Sequence, residues 1–329
     1  MITKRNLFDE MIREYPVLPA SDLVRLEQEV IIPRLTAGGK SFKVKSPTGH
    51  TLDGMTYTVD NPKGTIMISH GFTEAVEKFG EMIYYFMSEG YNVCIHSHWD
   101  HGNSRDEAPN GRPTHIDSFQ YYVDDFAAVA DSILPTLAAP YILYAHSMGG
   151  LVGALYLEQH PDVFTKAVFN APMFEINRGG IPYFIAKAIA TFLCKIGKGK
   201  TYLPGQGPFS EIPDFEHSAA SCKERYQLYF DKRLKDPNLQ NCGSSCRWAL
   251  ESFYADERML KPENCSRITI PVLLFQAEND DFVLPGGHDA FMNIIPDGRY
   301  IFVPGAKHEI YLSDDEILKR YVQMIVEFL

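Results

Sequence analysis

Six short apolar segments after Gly64 constrain the fold of this chain more than any other feature of its sequence. Each has the length of a buried β-strand, and helical patterns separate several of them. Strands this apolar that alternate with helices indicate a parallel sheet covered on both faces, which is an α/β fold. The predicted strands are TIMISH (65–70), YNVCIH (91–96), YILYAH (141–146), KAVFN (166–170), PVLLFQA (271–277) and RYIFVP (299–304).

The helices that should cover this sheet are predicted from apolar residues at helical spacing. They are Phe79–Ser88, Ser118–Leu137, Leu151–Gln159, Gly287–Ile295 and Leu318–Leu329. Residues 41–64 instead alternate apolar and polar side chains around two glycines, which predicts antiparallel strands with tight turns. We expect residues 1–40 to form a helical extension, because Leu7, Met11 and Ile12 have helical spacing.

Residues 171–265 interrupt the alternation of strands and helices. This interval is too long for a connection between two strands, so we expect an inserted helical lid on a core of residues 41–170 and 266–329. The first part of the lid, residues 181–200, is strongly apolar and ends in basic residues. Two interpretations stay open: a helix packed on the core, or an apolar wall for an acyl chain that also touches lipid.

The acidic balance of the chain limits the classes of partner that it can bind. Its 329 residues carry a formal net charge of −11, which argues against nucleic acid as a partner, because phosphate binding needs clustered lysine and arginine.

We find neither a signal peptide nor a membrane span, so we expect a cytoplasmic protein. The six cysteines form no CxxC pair and are interpreted as free thiols, with a metal site at Cys222, Cys242 and Cys246 as the alternative.

Ser147 is the candidate nucleophile. It lies in A-x-S-x-G between a predicted strand and a predicted helix, which is close to the G-x-S-x-G nucleophile elbow. Small flanking residues are needed because the turn is strained, and Ala145 stands where a glycine is usual. The alternative is a serine that only caps the helix, since serine is a favoured N-cap.

His308 and Asp280 are the candidate partners of this serine. His308 follows the last predicted strand and could take the serine proton, and Asp280 ends the preceding strand and could orient the histidine. Glu278 and Asp281 are rivals for the acid. The chain order Ser, Asp, His is that of α/β-hydrolases. We expect Met148 and Phe72 to supply the two backbone N–H groups of an oxyanion hole.

These motifs resemble the monoglyceride lipase and lysophospholipase branch of the α/β-hydrolases, with bacterial lysophospholipases the most similar. The matching segments are HGFTE (70–74), AHSMGG (145–150), QAEND (276–280), GAKHE (305–309) and, in the lid, NAPMFEI (170–176), HSAASCKERYQLYF (217–230) and CRWALESF (246–253). The resemblance implies an α/β-hydrolase fold, a mostly parallel eight-stranded sheet with helices on both faces and an inserted lid. It also implies a serine esterase without a cofactor that acts on a monoacyl lipid. From the apolar start of the lid, we expect any membrane contact to be peripheral, through the lid and at the inner face.

One loop departs from the family pattern. Where Asp-x-Arg-Gly-x-Gly-x-Ser is usual, residues 97–104 read SHWDHGNS and lack the Arg-Gly pair. His96, His98, Asp100 and His101 crowd this turn, which raises a zinc site as an alternative to hydrogen bonds within a rebuilt loop.

Three alternative functions also stay open. A general carboxylesterase and a serine aminopeptidase could use the same core, and a hydrolase fold can serve as a binding module without catalysis.

Overall fold

The computed structural model describes residue 8 and residues 13–329, so the helical spacing of Leu7, Met11 and Ile12 lies outside the described residues. Eight strands of the described chain form one sheet in the order β1-β2-β4-β3-β5-β6-β7-β8. The strands β1 and β2 are antiparallel to their neighbours, and all other pairs are parallel. The strands are β1 (Gly39–Lys45), β2 (Thr51–Tyr57), β3 (Thr65–Ser69), β4 (Asn92–His96), β5 (Tyr141–His146), β6 (Lys166–Asn170), β7 (Val272–Asn279) and β8 (Gly298–Lys307).

The helices connect these strands and cover both faces of the sheet. A continuous helical segment before β1 contains α1 (Leu23–Leu26), a π-helical turn at Glu27–Ile31 and α2 (Ile32–Gly38). The remaining helices are α3 (Gly80–Ser88), α4 (Gln120–Ile133), α5 (Met148–Gln159), α6 (Tyr183–Lys195), α7 (Lys223–Lys235), α8 (Cys246–Met259), α9 (Pro262–Cys265), α10 (Pro285–Met292) and α11 (Asp315–Phe328).

The apolar core is divided by the sheet into two layers, as the apolar strands predicted. In β3, Ile66 and Ile68 pack with residues of α3 and α11, whereas Met67 between them packs with residues of α4, α5 and α10. Neighbouring side chains of a strand point to opposite faces, so a strand buried on both faces must be apolar throughout. The predicted α/β architecture, a mostly parallel sheet of eight strands with helices on both faces, is therefore confirmed.

The last two strands extend further than predicted, and this extension matters for the site. The pairing of β7 with β8 passes an irregularity after Ala277 and continues to Asn279 opposite Lys307. The next residue of each strand is Asp280 and His308. The register of these two strands thus places the predicted acid beside the predicted base.

The interval between β6 and β7 contains the helices α6 to α9. Helix α6 packs against α8 through a small apolar cluster that includes Ala190, Leu250 and Phe253. Helix α7 is fastened to the core by Arg225, which is fully buried and forms ion pairs with Glu81 of α3 and Asp315 of α11. Helix α7 is therefore tied to the core, and residues of this interval line the same cavity as Ser147 and His308.

Candidate active site

Ser147 lies on the sharp turn between β5 and α5. Its backbone has φ 52° and ψ −121°, a conformation that L-residues rarely adopt. The turn also brings α5 against β3, since a Cβ on Gly149 would approach the Ser69 carbonyl oxygen to 2.2 Å. The small residues of the motif are thus required by close backbone contact. Although Ser147 precedes α5, its hydroxyl makes no capping hydrogen bond.

The Ser147 hydroxyl instead contacts His308. Its Oγ is 2.8 Å from His308 Nε2, and His308 Nδ1 is 2.7 Å from Asp280 Oδ2. The other oxygen of Asp280 accepts hydrogen bonds from the backbone N–H groups of Phe282 and Val283. All three side chains are almost fully buried. The structure therefore brings together the three residues predicted as nucleophile, base and acid.

The two rival acids lie in other environments. Glu278 is exposed, and its carboxylate accepts a hydrogen bond from the backbone N–H of Gly305. Asp281 is also exposed, and its backbone carbonyl accepts a hydrogen bond from Asn177. Of these carboxylates, Asp280 is the one that contacts His308.

The pKa values of the Asp280–His308 pair are shifted in the directions that favour a charged pair. Burial by itself would raise the pKa of Asp280, but His308 and two backbone N–H groups lower it below its ordinary value. Burial would lower the pKa of His308, but the Asp280 carboxylate raises it above 6.5. The carboxylate fixes the proton on Nδ1, so Nε2 of neutral His308 is free to accept the Ser147 proton.

We expect the activity to be lost as the pH falls through the pKa of His308. A protonated imidazole cannot act as a base, so the acid limb of kcat/KM should have its midpoint above 6.5. The buried residues His70 and His146 have pKa values lowered by burial to about 4 and about 3, so they stay neutral there. Initial rates from pH 5 to 9 test this. The exposed cavity residue His217 is the control: an acid limb that moves in His217→Gln would contradict the assignment.

The two predicted oxyanion donors flank the nucleophile. Met148 is the first residue of α5, so its N–H lies at a helix N-terminus directly after Ser147. Phe72 follows β3 in a tight turn in which the Gly71 N–H donates to the Glu74 carboxylate at 2.5 Å. Thr73 in the same turn has a positive φ of 61°. The oxyanion role of both amides stays a prediction.

A cavity of about 400 Å³ opens above Ser147 and His308. Its volume is typical of pockets for small molecules. Its wall contains six aromatic residues, which come from the interval between β6 and β7 and from two loops of the core, among a larger number of polar and charged residues. These aromatic residues are Phe72, Phe209, Tyr226, Tyr229, Phe230 and Phe282.

Sequence reasoning missed a buried polar network close to His308. Glu74 accepts hydrogen bonds from Gly71 and Tyr311 and forms an ion pair with Lys78, whose ammonium also binds Glu309. Burial by itself would raise the pKa of Glu74, but Lys78 lowers it well below its ordinary range. The sequence gives a partial indication of this network, because Glu74 lies in the HGFTE motif and Lys78 follows four residues later.

The same network contains the one group of the described residues whose ligand atoms could converge on a metal ion. The side chains of Glu74, His146 and Glu309 place ligand atoms within 4.8 Å of one another. The Lys78 ammonium already binds both carboxylates, at 2.9 Å from Glu74. A single lysine cation therefore already lies between the two carboxylates and pairs with both.

The histidine-rich loop 97–104 is held by hydrogen bonds. The His98 N–H donates to His70 Nε2, His98 Nε2 contacts Ser69 Oγ, and His101 Nδ1 contacts the Trp99 carbonyl. Asp100 turns away from these rings and is bound by the guanidinium of Arg112 at 2.7 and 3.0 Å. An arginine from further along the chain thus pairs with Asp100.

A family model described as "Serine aminopeptidase, S33" matches residues 60–315, which is most of the chain. The chain belongs to this family. Its members are α/β-hydrolases, so the predicted family is confirmed. A probable lysophospholipase L2 from Haemophilus influenzae is 27% identical over 266 residues, covering 80% of this chain and 83% of the relative. Lysophospholipase L2 of Escherichia coli is 28% identical over 272 residues, covering 80% and 79%.

The fold of this family member also matches solved structures. A soluble variant of the monoglyceride lipase from Saccharomyces cerevisiae, in complex with a substrate analogue, superposes with a TM-score of 0.69. The match has 16% sequence identity and covers 88% of this chain and 95% of that chain. This likeness supports the fold, since it extends over nearly the whole of both proteins. In the part of the chain that the structure describes, none of the helices has the length and apolar character needed to cross a bilayer.

Proposed function

We propose that this chain hydrolyses the carboxylic ester of a monoacyl lipid, either a lysophospholipid or a monoacylglycerol. One observation carries the proposal: Ser147 is hydrogen-bonded to His308, which is hydrogen-bonded to Asp280, and the Ser147 end of this chain opens into a cavity whose wall contains six aromatic rings. The predicted class of serine ester hydrolase is confirmed by relatives that are named lysophospholipases and a monoacylglycerol lipase.

The reaction proceeds by transfer of the acyl group to the serine. His308 takes the Ser147 proton as Oγ attacks the ester carbonyl, and the Phe72 and Met148 amides stabilise the resulting oxyanion. The tetrahedral intermediate collapses, the ester C–O bond breaks, and the alcohol leaves with the proton from His308. Water then attacks the acyl-enzyme with His308 again as base, and the fatty acid and free Ser147 are regenerated.

An ester of a fatty acid suits this cavity better than a peptide does. An aminopeptidase must bind the α-ammonium of its substrate, which calls for a carboxylate that does not already hold another partner. Glu74 and Glu309 in the cavity wall are both paired with Lys78, and Asp214 is paired with His217. The aromatic lining instead favours apolar chains, since burial of apolar area stabilises binding.

The test is hydrolysis of a matched set of substrates by the purified protein. The set contains a lysophospholipid, a monoacylglycerol, a short p-nitrophenyl ester and an aminoacyl-naphthylamide, each also measured with Ser147→Ala. Preference for either glycerol ester, lost in the variant, supports the proposal. Cleavage of the short ester alone would indicate a general carboxylesterase, and amide cleavage would indicate an aminopeptidase. Failure of Ser147 to react with a fluorophosphonate would favour a binding module.

We also propose that residues 171–265 act as a lid that meets a lipid surface. Six large side chains on and beside α6 are between 40% and 71% exposed. They are Ile181, Phe184, Ile185, Ile189, Phe192 and Ile196. The exposed lysines 195, 198 and 200 follow at the end of the helix, and no ion pair holds them within the described residues. An apolar helix face beside basic residues is typical of helices that bind anionic lipid surfaces.

Replacing both Phe184 and Phe192 with serine should weaken binding to anionic lipid vesicles by at least about 10-fold, because each ring contributes up to ~2 kcal/mol when buried. Co-sedimentation with phosphatidylglycerol vesicles measures the partition. Val24→Ser is the matched control, since Val24 is 65% exposed but lies on α1, outside the lid. Equal binding of the double variant and the wild type would contradict the lid contact.

We also propose that the protein is located in the cytoplasm. The six free thiols support this location, because free cysteines are typical of a reducing compartment.

A further inference from the structure

Arg233 lies near the end of α7 and lines the same cavity as Ser147. Its guanidinium stacks on the ring of Phe209 at 4.3 Å from the ring centre. Its Nε donates to the Leu239 carbonyl at 3.0 Å, and its Nη2 donates to the Asn241 carbonyl. The ring and the two carbonyl groups hold the plane of the guanidinium in one orientation at the cavity wall.

The positive charge of Arg233 is not neutralised by an acid in the described part of the chain. No carboxylate forms an ion pair with it, whereas Lys78 in the same wall is bound to Glu74 and Glu309. The hydrogen bonds of Arg233 go to backbone carbonyls, which carry only partial charges. A half-buried cation with this environment attracts an anion.

The planar geometry of the Arg233 guanidinium limits the kind of anion that it can bind with several hydrogen bonds. A guanidinium has five N–H donors in a plane, and the two carbonyls use only two of them. The Nη1 group has no hydrogen-bond partner among the described residues, so a fork of donors is open to an incoming group. Such a fork suits the paired oxygens of a phosphate.

We propose that Arg233 binds the phosphate of a lysophospholipid head group and so selects this substrate over a monoacylglycerol. The inference rests on the proposed function, because it assumes that the ester is cleaved at Ser147. A glycerol head without phosphate offers no charge to the guanidinium. A lysophospholipid carries a phosphodiester close to its scissile ester. Ser147 and Arg233 line one cavity, so a single bound lipid could place the ester at Ser147 and the phosphate at Arg233.

The experiment compares a lysophospholipid and a monoacylglycerol with the same acyl chain. The measured quantity is the ratio of their kcat/KM values. In Arg233→Gln this ratio should fall about 10- to 100-fold, as expected for loss of a hydrogen bond between two charged groups. Arg233→Lys keeps the charge and should give an intermediate ratio. Arg299→Gln is the matched control, because Arg299 also stacks on a ring, Phe328, but lies outside the cavity.

Each other outcome overturns the inference in a distinguishable way. Equal losses on both substrates would mean that Arg233 only shapes the loop after α7, and the proposed function would stand. A wild-type enzyme that cleaves monoacylglycerol alone would also refute the role of Arg233 and leave the esterase intact. A ratio for Arg233→Lys equal to that of the wild type would contradict recognition by the planar fork of donors, because a lysine has no such fork. A wild type that cleaves neither lipid would overturn both proposals.

Discussion

Replacing Ser147 with alanine is expected to lower kcat for ester hydrolysis by about 10⁴- to 10⁶-fold. The hydroxyl that this change removes lies 2.8 Å from His308 Nε2, and no other hydroxyl contacts that nitrogen among the described residues. The fold should persist, because the Ser147 hydroxyl makes no capping bond that supports α5. The substitution should also leave the backbone strain at this position unchanged, because alanine carries a Cβ as serine does and meets the same penalty at a positive φ. Single-turnover and steady-state rates with the preferred lipid measure the loss.

Ser210→Ala is the matched control for this variant. Ser210 lines the same cavity but is exposed, and its hydroxyl bonds only within its own loop, to Ile212. We expect its kcat to stay within about threefold of wild type, as is usual for an exposed hydroxyl. If Ser147→Ala kept more than about a tenth of the wild-type rate, another residue would have to be the nucleophile.

The central part of the fold was predictable because its strands are buried on both faces. A strand such as β3 must be apolar at every position, so its sequence differs clearly from a helix or a loop. The end of β8 was not predictable in the same way. Residues 304–307 include a proline and a glycine, and they extend the strand only because β7 continues beside them. Pairing between distant segments decides such boundaries.

Within the site, too, some features were predictable from local sequence and others depend on contacts between distant segments. Ser147, Asp280 and His308 follow the ends of strands, so the topology of a parallel sheet brings them to one edge. The contact of Glu74 with Tyr311 joins residues 237 positions apart, and no local pattern indicates it. The place of Arg233 in the cavity wall depends likewise on how the lid interval folds over the core. Local motifs predict which groups react, and tertiary packing decides what surrounds them.

Asp280→Asn should lower kcat by about 10⁴-fold with little change in the fold. Asparagine keeps an oxygen for the backbone N–H groups of Phe282 and Val283, so the loop retains its hydrogen bonds. The amide, however, turns an N–H toward His308 Nδ1, where the carboxylate accepted a hydrogen bond from the Nδ1–H group. The imidazole would then carry its proton on Nε2, facing Ser147, and could not act as the base.

Asp281→Asn separates this effect from a general loss of negative charge at the end of β7. The two residues are adjacent, and the substitution is chemically identical, but Asp281 is exposed and its side chain does not contact His308. Measured kcat should stay within about threefold of wild type in Asp281→Asn. Similar losses in both variants would show that the charge of the loop matters rather than the hydrogen bond to His308. A large loss in Asp281→Asn alone would assign the role of the acid to Asp281, which the sequence analysis names as a rival of Asp280.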